Sequence, residues 1–276
     1  MLSVIRALNG KVLKFGGDAL LIGFYGRCAE AELTARECAV QLLNSTKHFG
    51  NIKTVAGATR ISIKIIIETG EWLEALLGDD RRTEIFITGS IFNRVFKAEE
   101  SAASDCIILN GKRAQGLDRK QTPKLIKGES KPVRSSLQKF LPQGVLDFIR
   151  MNAAGEYRVV TVLFVQITGY DPDMPNLVNL QSFFRDLISI TEKYRGSVNK
   201  IDISRDGSKV LVLFGAPISH ERSAEYGVLA GLEILGVCPK GLELRLGLSG
   251  GYVYAGIVGN DFAKEYTVIG DTLSLI

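Results

Sequence analysis

Read as apolar and polar positions, the chain is clearest in its second half. Residues 157–167 (YRVVTVLFVQI) form a β-branched, nearly continuous apolar run, the pattern of a strand buried on both faces. Thr168-Gly-Tyr170 and the turn 171–175 (DPDMP) end it. From Leu177 to Tyr194 the residues Leu177, Leu180, Phe183, Phe184, Leu187 and Ile188 fall at helical spacing, and Arg195-Gly196 stops that helix. Residues 196–203 read as a strand, 204–207 as a turn and 208–214 (SKVLVLF) as the returning strand. A second helix is expected over 221–236, a strand over 242–248, a strand with glycine-marked bends over 250–259, and a last strand over 265–269.

The first half repeats this order. Lys11–Lys14, Gly16-Gly17 and 18–24 (DALLIGF) match the strand–turn–strand of 198–214. Residues 30–47 match the second helix, 62–67 and 70–78 match 242–259, and 84–88 before Gly89 match 266–269 before Gly270. Agreement in order and spacing indicates a tandem repeat. The first copy is expected to lack the opening strand and long helix of 157–194, which reads as truncation of a longer protein at its beginning. The expected domains are a partial first copy over 1–110, a basic linker with short helical turns over 111–150, and a second copy over 151–276 that is expected to lack its C-terminal helix and strands.

Charge enters mainly through that linker. Between Gly111 and Leu141 stand nine Lys or Arg residues against Asp118 and Glu129, with Pro123 and Pro132 among them. Few apolar residues and no aromatic before Phe140 make it a solvated connection rather than a nucleic-acid arm. The remaining composition, 46% hydrophobic and 23% charged with a net charge of +4, is that of a globular chain. Four cysteines without a C-x-x-C pair and two histidines, His48 and His220, argue against a disulfide scaffold and histidine metal chemistry. Reduced thiols fit a cytoplasmic protein. No apolar run approaches 18 residues, so no transmembrane segment is expected, with peripheral membrane association left open.

Three segments are specific in combination: Gly10-Lys-Val-Leu-Lys-Phe-Gly-Gly-Asp-Ala-Leu-Leu21, Gly196-Ser-Val-Asn-Lys-Ile201, and Tyr252-Val-Tyr-Ala-Gly-Ile-Val-Gly-Asn260 running into Glu265-Tyr-Thr-Val-Ile-Gly270. With them the chain resembles the class III nucleotidyl cyclases, and most closely the tandem catalytic domains of soluble, bicarbonate-responsive adenylyl cyclases. The resemblance implies an α/β (α+β) fold of two ferredoxin-like domains that pair within the chain. It also implies two divalent ions, Mg²⁺ or Mn²⁺, at an intact catalytic site.

The same resemblance assigns roles. Asp18 matches a metal-binding aspartate at a hairpin tip. In the second copy the matching positions are Gln166 and Ser208, so that copy is expected not to supply a two-carboxylate clamp. Lys200 resembles the lysine that approaches a purine ring nitrogen, and Thr267 the partner that reads the exocyclic group. That pair suits ATP rather than GTP. Lys64 resembles a lysine that binds terminal phosphates. Lys14 and Ile87 match a regulatory anion pocket whose arginine position is Phe96 here, with Arg94 and Lys97 nearby. An asparagine and an arginine expected beyond Gly270 are not matched: Ser274 takes the first position. The expected function is adenylate cyclase chemistry, ATP to 3′,5′-cyclic AMP and pyrophosphate in intracellular signalling. The chain alone is expected to be weak or inactive, needing a companion chain for missing elements. The alternative is a catalytically dead module for dimerisation or nucleotide binding; no nucleic-acid partner is expected.

Overall fold

The computed structural model describes residues 1–16, 19–46, 52–54, 57–114, 138–259 and 264–273. In chain order its elements are α1 (Leu2–Ala7), β1 (Lys11–Gly16), β2 (Ala19–Gly23), α2 (Cys28–Thr46), β3 (Ile52–Thr54), β4 (Gly57–Thr59), β5 (Lys64–Ile67), β6 (Leu73–Gly78), β7 (Thr83–Thr88), α3 (Ser90–Ser101), β8 (Cys106–Leu109) and β9 (Lys112–Arg113). A 3₁₀ turn at Gln138–Phe140 precedes α4 (Gln143–Arg150), β10 (Glu156–Thr168), α5 (Leu177–Lys193), β11 (Ser197–Ser204), β12 (Gly207–Phe214), α6 (Ser223–Gly236), β13 (Glu243–Gly259) and β14 (Lys264–Ile269). The chain divides into two compact units, residues 1–71 with 90–130, and residues 72–89 with 131–276. The hairpin β6–β7, which belongs to the first repeat in sequence, therefore groups with the second.

The second unit is built on a five-stranded sheet of order β11-β12-β10-β13-β14, antiparallel throughout. Its β10-α5-β11-β12-α6-β13 path is the split βαβ connectivity of ferredoxin-like folds. The apolar run of β10 explains its central place. Leu163, Val165 and Ile167 pack against Phe183, Phe184 and Leu187 of α5 and Ile234 of α6. Val160 and Val162 pack on the other face with Leu211, Leu213, Val253 and Val268. At roughly 1.5–3 kcal/mol for each large side chain withdrawn from water, this two-sided core holds the unit together. Helix α4 adds Val145 to the second face, and Phe148 meets Tyr266 edge-on at 5.3 Å. Residues 138–150 thus carry short helical turns packed on a folded unit; residues 115–137 of the linker lie outside the described residues.

One element differs from expectation. Glu243–Gly259 form a single long strand, β13, without a break at Gly250-Gly251. Those glycines stay in register opposite Thr161 and Val160 of β10, whose unbroken ladder straightens them.

The hairpin β6–β7 packs on α5, placing Leu77 and Phe86 in its core. Gln181 of α5 donates to the carbonyl of Gly78 and accepts from its amide, and Thr88 Oγ1 donates to the carbonyl of Pro172. Arg82, 4% exposed, pairs with Glu84 and donates to the carbonyls of Val198 and Asn199 on edge strand β11. Edge carbonyls are otherwise open to another strand, so Arg82 both seals the edge and anchors the hairpin.

The first unit has smaller pieces: the β1–β2 hairpin, β3–β4, and a three-stranded sheet in which β5 runs parallel to β8 and β8 pairs with β9. Helices α1 and α2 cover the hairpin through Ile5, Cys38 and Leu42, and α3 packs Ala98 near Cys106 and Ile108 of β8.

Several repeat positions coincide in geometry. The β1–β2 register slips between Val12 and Lys14, and the β11–β12 register slips between Val198 and Lys200. Asn9 and Arg195, the residues before Gly10 and Gly196, both have φ of 56°. The amide of Gly10 bonds the carbonyl of Ile5, as that of Gly196 bonds the carbonyl of Thr191. Helix α1 therefore precedes β1 with the same local geometry as the last turn of α5 before β11. Gly78 and Gly259 close matching six-residue pairings with φ of 124° and 125°.

Candidate functional site

Lys200 and Thr267 stand on the two outer strands of the five-stranded sheet, β11 and β14. The sheet curls until those edges meet. Asn199 Nδ2 donates to the carbonyl of Tyr266 at 2.8 Å, and Lys200 Nζ lies 2.9 Å from Glu265 Oε1. Tyr266 sits in one core cluster with Leu211 and Leu213, so the curl is held by burial as well as by these polar bonds. The two residues expected to read a base thus belong to one seam, Lys200 beside Glu265 and Thr267 two positions further along β14. Across the ladder from Thr267 stands Gly256, which leaves that part of the face without a side chain.

Lys200 owes its orientation to the bulge after Val198. Its side chain is 15% exposed and lies between two carboxylates, Glu265 and, at 3.5 Å, Asp202. A buried amine needs such partners, because an isolated buried charge is expensive. Asp202 stands two positions along the same strand, whereas Glu265 reaches Lys200 only because the curl brings β14 to β11. Tyr266 is pushed up to about 12 by burial.

The positions matched to metal ligands in this unit are occupied differently. Gln166 on β10 faces Lys209 of β12 on one side and Arg245 of β13 on the other. Ser208 is buried, and its hydroxyl is 2.7 Å from the hydroxyl of Tyr170. Burial raises the Tyr170 phenol, although hydrogen bonds with Ser208 and Thr88 work against that rise. A neutral amide flanked by two cations and a sealed hydroxyl do not fit a divalent ion, which asks for several anionic oxygens.

The other sequence candidates fall as follows. Asp18 lies outside the described residues. Lys64 opens β5 and is exposed. Lys14 lies on β1 after the bulge in the first unit, whereas Ile87, 2% exposed, lies on β7 in the second. Arg94, near the arginine position of the anion pocket, is held by Glu68 at 3.2 Å and by the carbonyl of Thr69. Ser274 is outside the described residues.

With this geometry in view, similarity to known proteins is informative. No protein-family model matches the chain. Adenylate cyclase type 10 of Rattus norvegicus is 23% identical over 98% of this chain and 20% of its own length. Adenylate cyclase type 10 of Homo sapiens is 23% identical over 98% of this chain and 21% of its own length. The chain thus spans about a fifth of these relatives. Among solved structures, the adenylyl cyclase CyaB from P. aeruginosa is 25% identical, with a TM-score of 0.38, covering 44% of this chain and 70% of that one. These similarities support a class III nucleotidyl cyclase, and the second unit has the split βαβ topology of ferredoxin-like folds.

Proposed function

We propose that this chain is a module of adenylate cyclase type, whose second unit reads the purine of ATP through Lys200 and Thr267. The lineage reaction is conversion of ATP to 3′,5′-cyclic AMP and pyrophosphate, supplying a cytoplasmic signal. The observation that supports this reading is the seam of β11 and β14, where an oriented amine and a hydroxyl stand on facing edges. Adenine offers an acceptor at its N1 ring nitrogen and donors at its exocyclic amine, which suit an ammonium donor and a hydroxyl that can accept. Guanine carries a hydrogen at the same ring nitrogen and would repel Lys200. Calorimetric titration of the full chain with ATP and GTP tests this. ATP binds more tightly, and Lys200→Ala removes the preference while far-ultraviolet circular dichroism stays unchanged. Equal affinity for both nucleotides sinks it.

Turnover by the chain alone is weak or nil. The support is the Ser208–Tyr170 hydrogen bond together with Gln166 between Lys209 and Arg245. The same observation favours a second reading, a nucleotide-binding module without catalysis. Cyclic AMP formation by the purified chain in Mg²⁺ or Mn²⁺ separates the two: ATP binding without product supports the second reading, and turnover at the level of intact cyclases overturns both statements about activity.

A further inference from the structure

The second unit also presents a row of polar side chains across one face of its sheet. Gln166 of β10 stands between Lys209 of β12 and Arg245 of β13. Directly opposed residues of antiparallel strands project to the same side. Their neighbours fix which side that is. Val165, Ile167 and Val210 lie in the core with α5 and α6, and Leu244 and Leu246 pack against it. Gln166, Lys209 and Arg245 alternate with these residues and project from the opposite face. Lys209 Nζ lies 5.0 Å from the centre of the Phe164 ring, which packs on that opposite face.

The row is cationic and open. Gln166 and Lys209 are half-buried, and Arg245 is exposed. Among the described residues no carboxylate forms an ion pair with Lys209 or Arg245, and the Gln166 amide has no hydrogen-bond partner. Asp202, opposite Lys209 on β11, is drawn to Lys200 Nζ at 3.5 Å. Glu243 stands two positions before Arg245, opposite Thr168 at the rim. On the other side of the row Gly247 stands opposite Phe164, which leaves that part of β13 without a side chain. Strand spacing sets the Cα atoms of Lys209 and Arg245 about 10 Å apart, one on each side of Gln166. Two cations at that separation, with an amide donor between them, suit a ligand whose negative charge is spread along its length. A guanidinium grips a phosphate through two parallel hydrogen bonds, and an ammonium acts as a point charge.

We infer that Lys209, Gln166 and Arg245 form a binding site for a di- or triphosphate group, held without a divalent ion. Arg245 and Lys209 take the charged oxygens, and the Gln166 amide donates between them. The inference does not depend on the purine reading of Lys200 and Thr267.

Calorimetric titration of the full chain with tripolyphosphate in EDTA tests it. Tripolyphosphate binds saturably, and excess Mg²⁺ weakens it, because the metal neutralises the charge that the row reads. Lys209→Met and Arg245→Gln each weaken binding about ten-fold. Gln166→Glu, which sets a carboxylate between the cations, abolishes it. Lys112→Met, an exposed change on β9 in the first unit, leaves the affinity unchanged. Far-ultraviolet circular dichroism checks that each variant is folded. ATP is the second ligand. Displacement of tripolyphosphate by ATP assigns the group to a nucleotide tail, and its absence to a free oligophosphate; either upholds the site. Absence of saturation up to about 10 mM overturns the inference. So does binding that requires Mg²⁺, or binding indifferent to both Lys209→Met and Arg245→Gln. A loss in Lys112→Met as large as theirs overturns it too, since that marks general attraction to a basic chain.

Discussion

The hairpins β1–β2 and β11–β12 are the same local structure in two settings. Each follows a residue at φ 56° and a glycine, each slips register one residue before its lysine, and each turns back into an apolar strand. Their burial is not the same. In the second unit β12 pairs with β10 and buries Val210 to Phe214 without exception. In the first, β1 and β2 form a two-stranded sheet of their own, and Leu20, Leu21 and Ile22 are half-buried. Local geometry therefore travels with the sequence, while burial comes from the strand that lies alongside.

The largest break in this comparison is expected at Arg82. Its hairpin corresponds in sequence to the end of β13 with β14, but Arg82 ties it to β11. Arg82→Ala leaves Glu84 buried without its partner and is expected to cost about 3–5 kcal/mol, read from urea unfolding. The exposed neighbour change Arg81→Ala should barely move the midpoint. An equal shift for both would mean that the hairpin is not anchored as seen. Next comes the pair Leu211→Ala and Leu21→Ala, which occupy matching positions. The first empties a buried site and should cost about 2–5 kcal/mol, the second less than half as much. Equal costs would show that the first hairpin is buried as deeply as the second.

A smaller effect concerns Tyr266 at the seam. Its folded value, near 12, lies above the ordinary tyrosine value of 10, so the folded state holds the phenolic proton more tightly. That stability is complete below pH 10 and is lost as pH rises from 10 through 12. Ultraviolet titration of the phenolate should show Tyr266 among the tyrosines that ionise late, with unfolding midpoints falling over the same window. Tyr266→Phe should flatten that fall. The smallest effect sharpens the comparison at the helix ends. Arg195→Gly relieves a left-handed arginine and should stabilise by about 1 kcal/mol, whereas Asn9→Gly gains less, because asparagine tolerates that conformation. A larger gain at Asn9 would contradict the shared geometry.

Much of the second unit was legible in the sequence. The apolar run of β10, the helical spacing of α5 and the β11–β12 turn are strong periodic signals that tertiary packing reinforces. The glycines at 250 and 251 misled, because a bend signal is local and the ladder to Val160 and Thr161 is not. Helix α1 was missed for a related reason: six residues carry too little periodicity to show. At the site, Lys200 and Thr267 were visible as residue types in a pattern. The pairing of Lys200 with Glu265 was not, since the curl that joins the sheet edges depends on Tyr266 and Val268 being drawn over Leu211 and Leu213.

By itself the sequence determined most of the element types of the second unit, because each rests on patterns within a few tens of residues. The tertiary structure alone decided which unit the hairpin 72–89 joins, how deeply each hairpin is buried and that Lys200 meets Glu265. Those depend on edge carbonyls and apolar faces finding partners far along the chain, where the gain from burial outweighs what local propensity prefers.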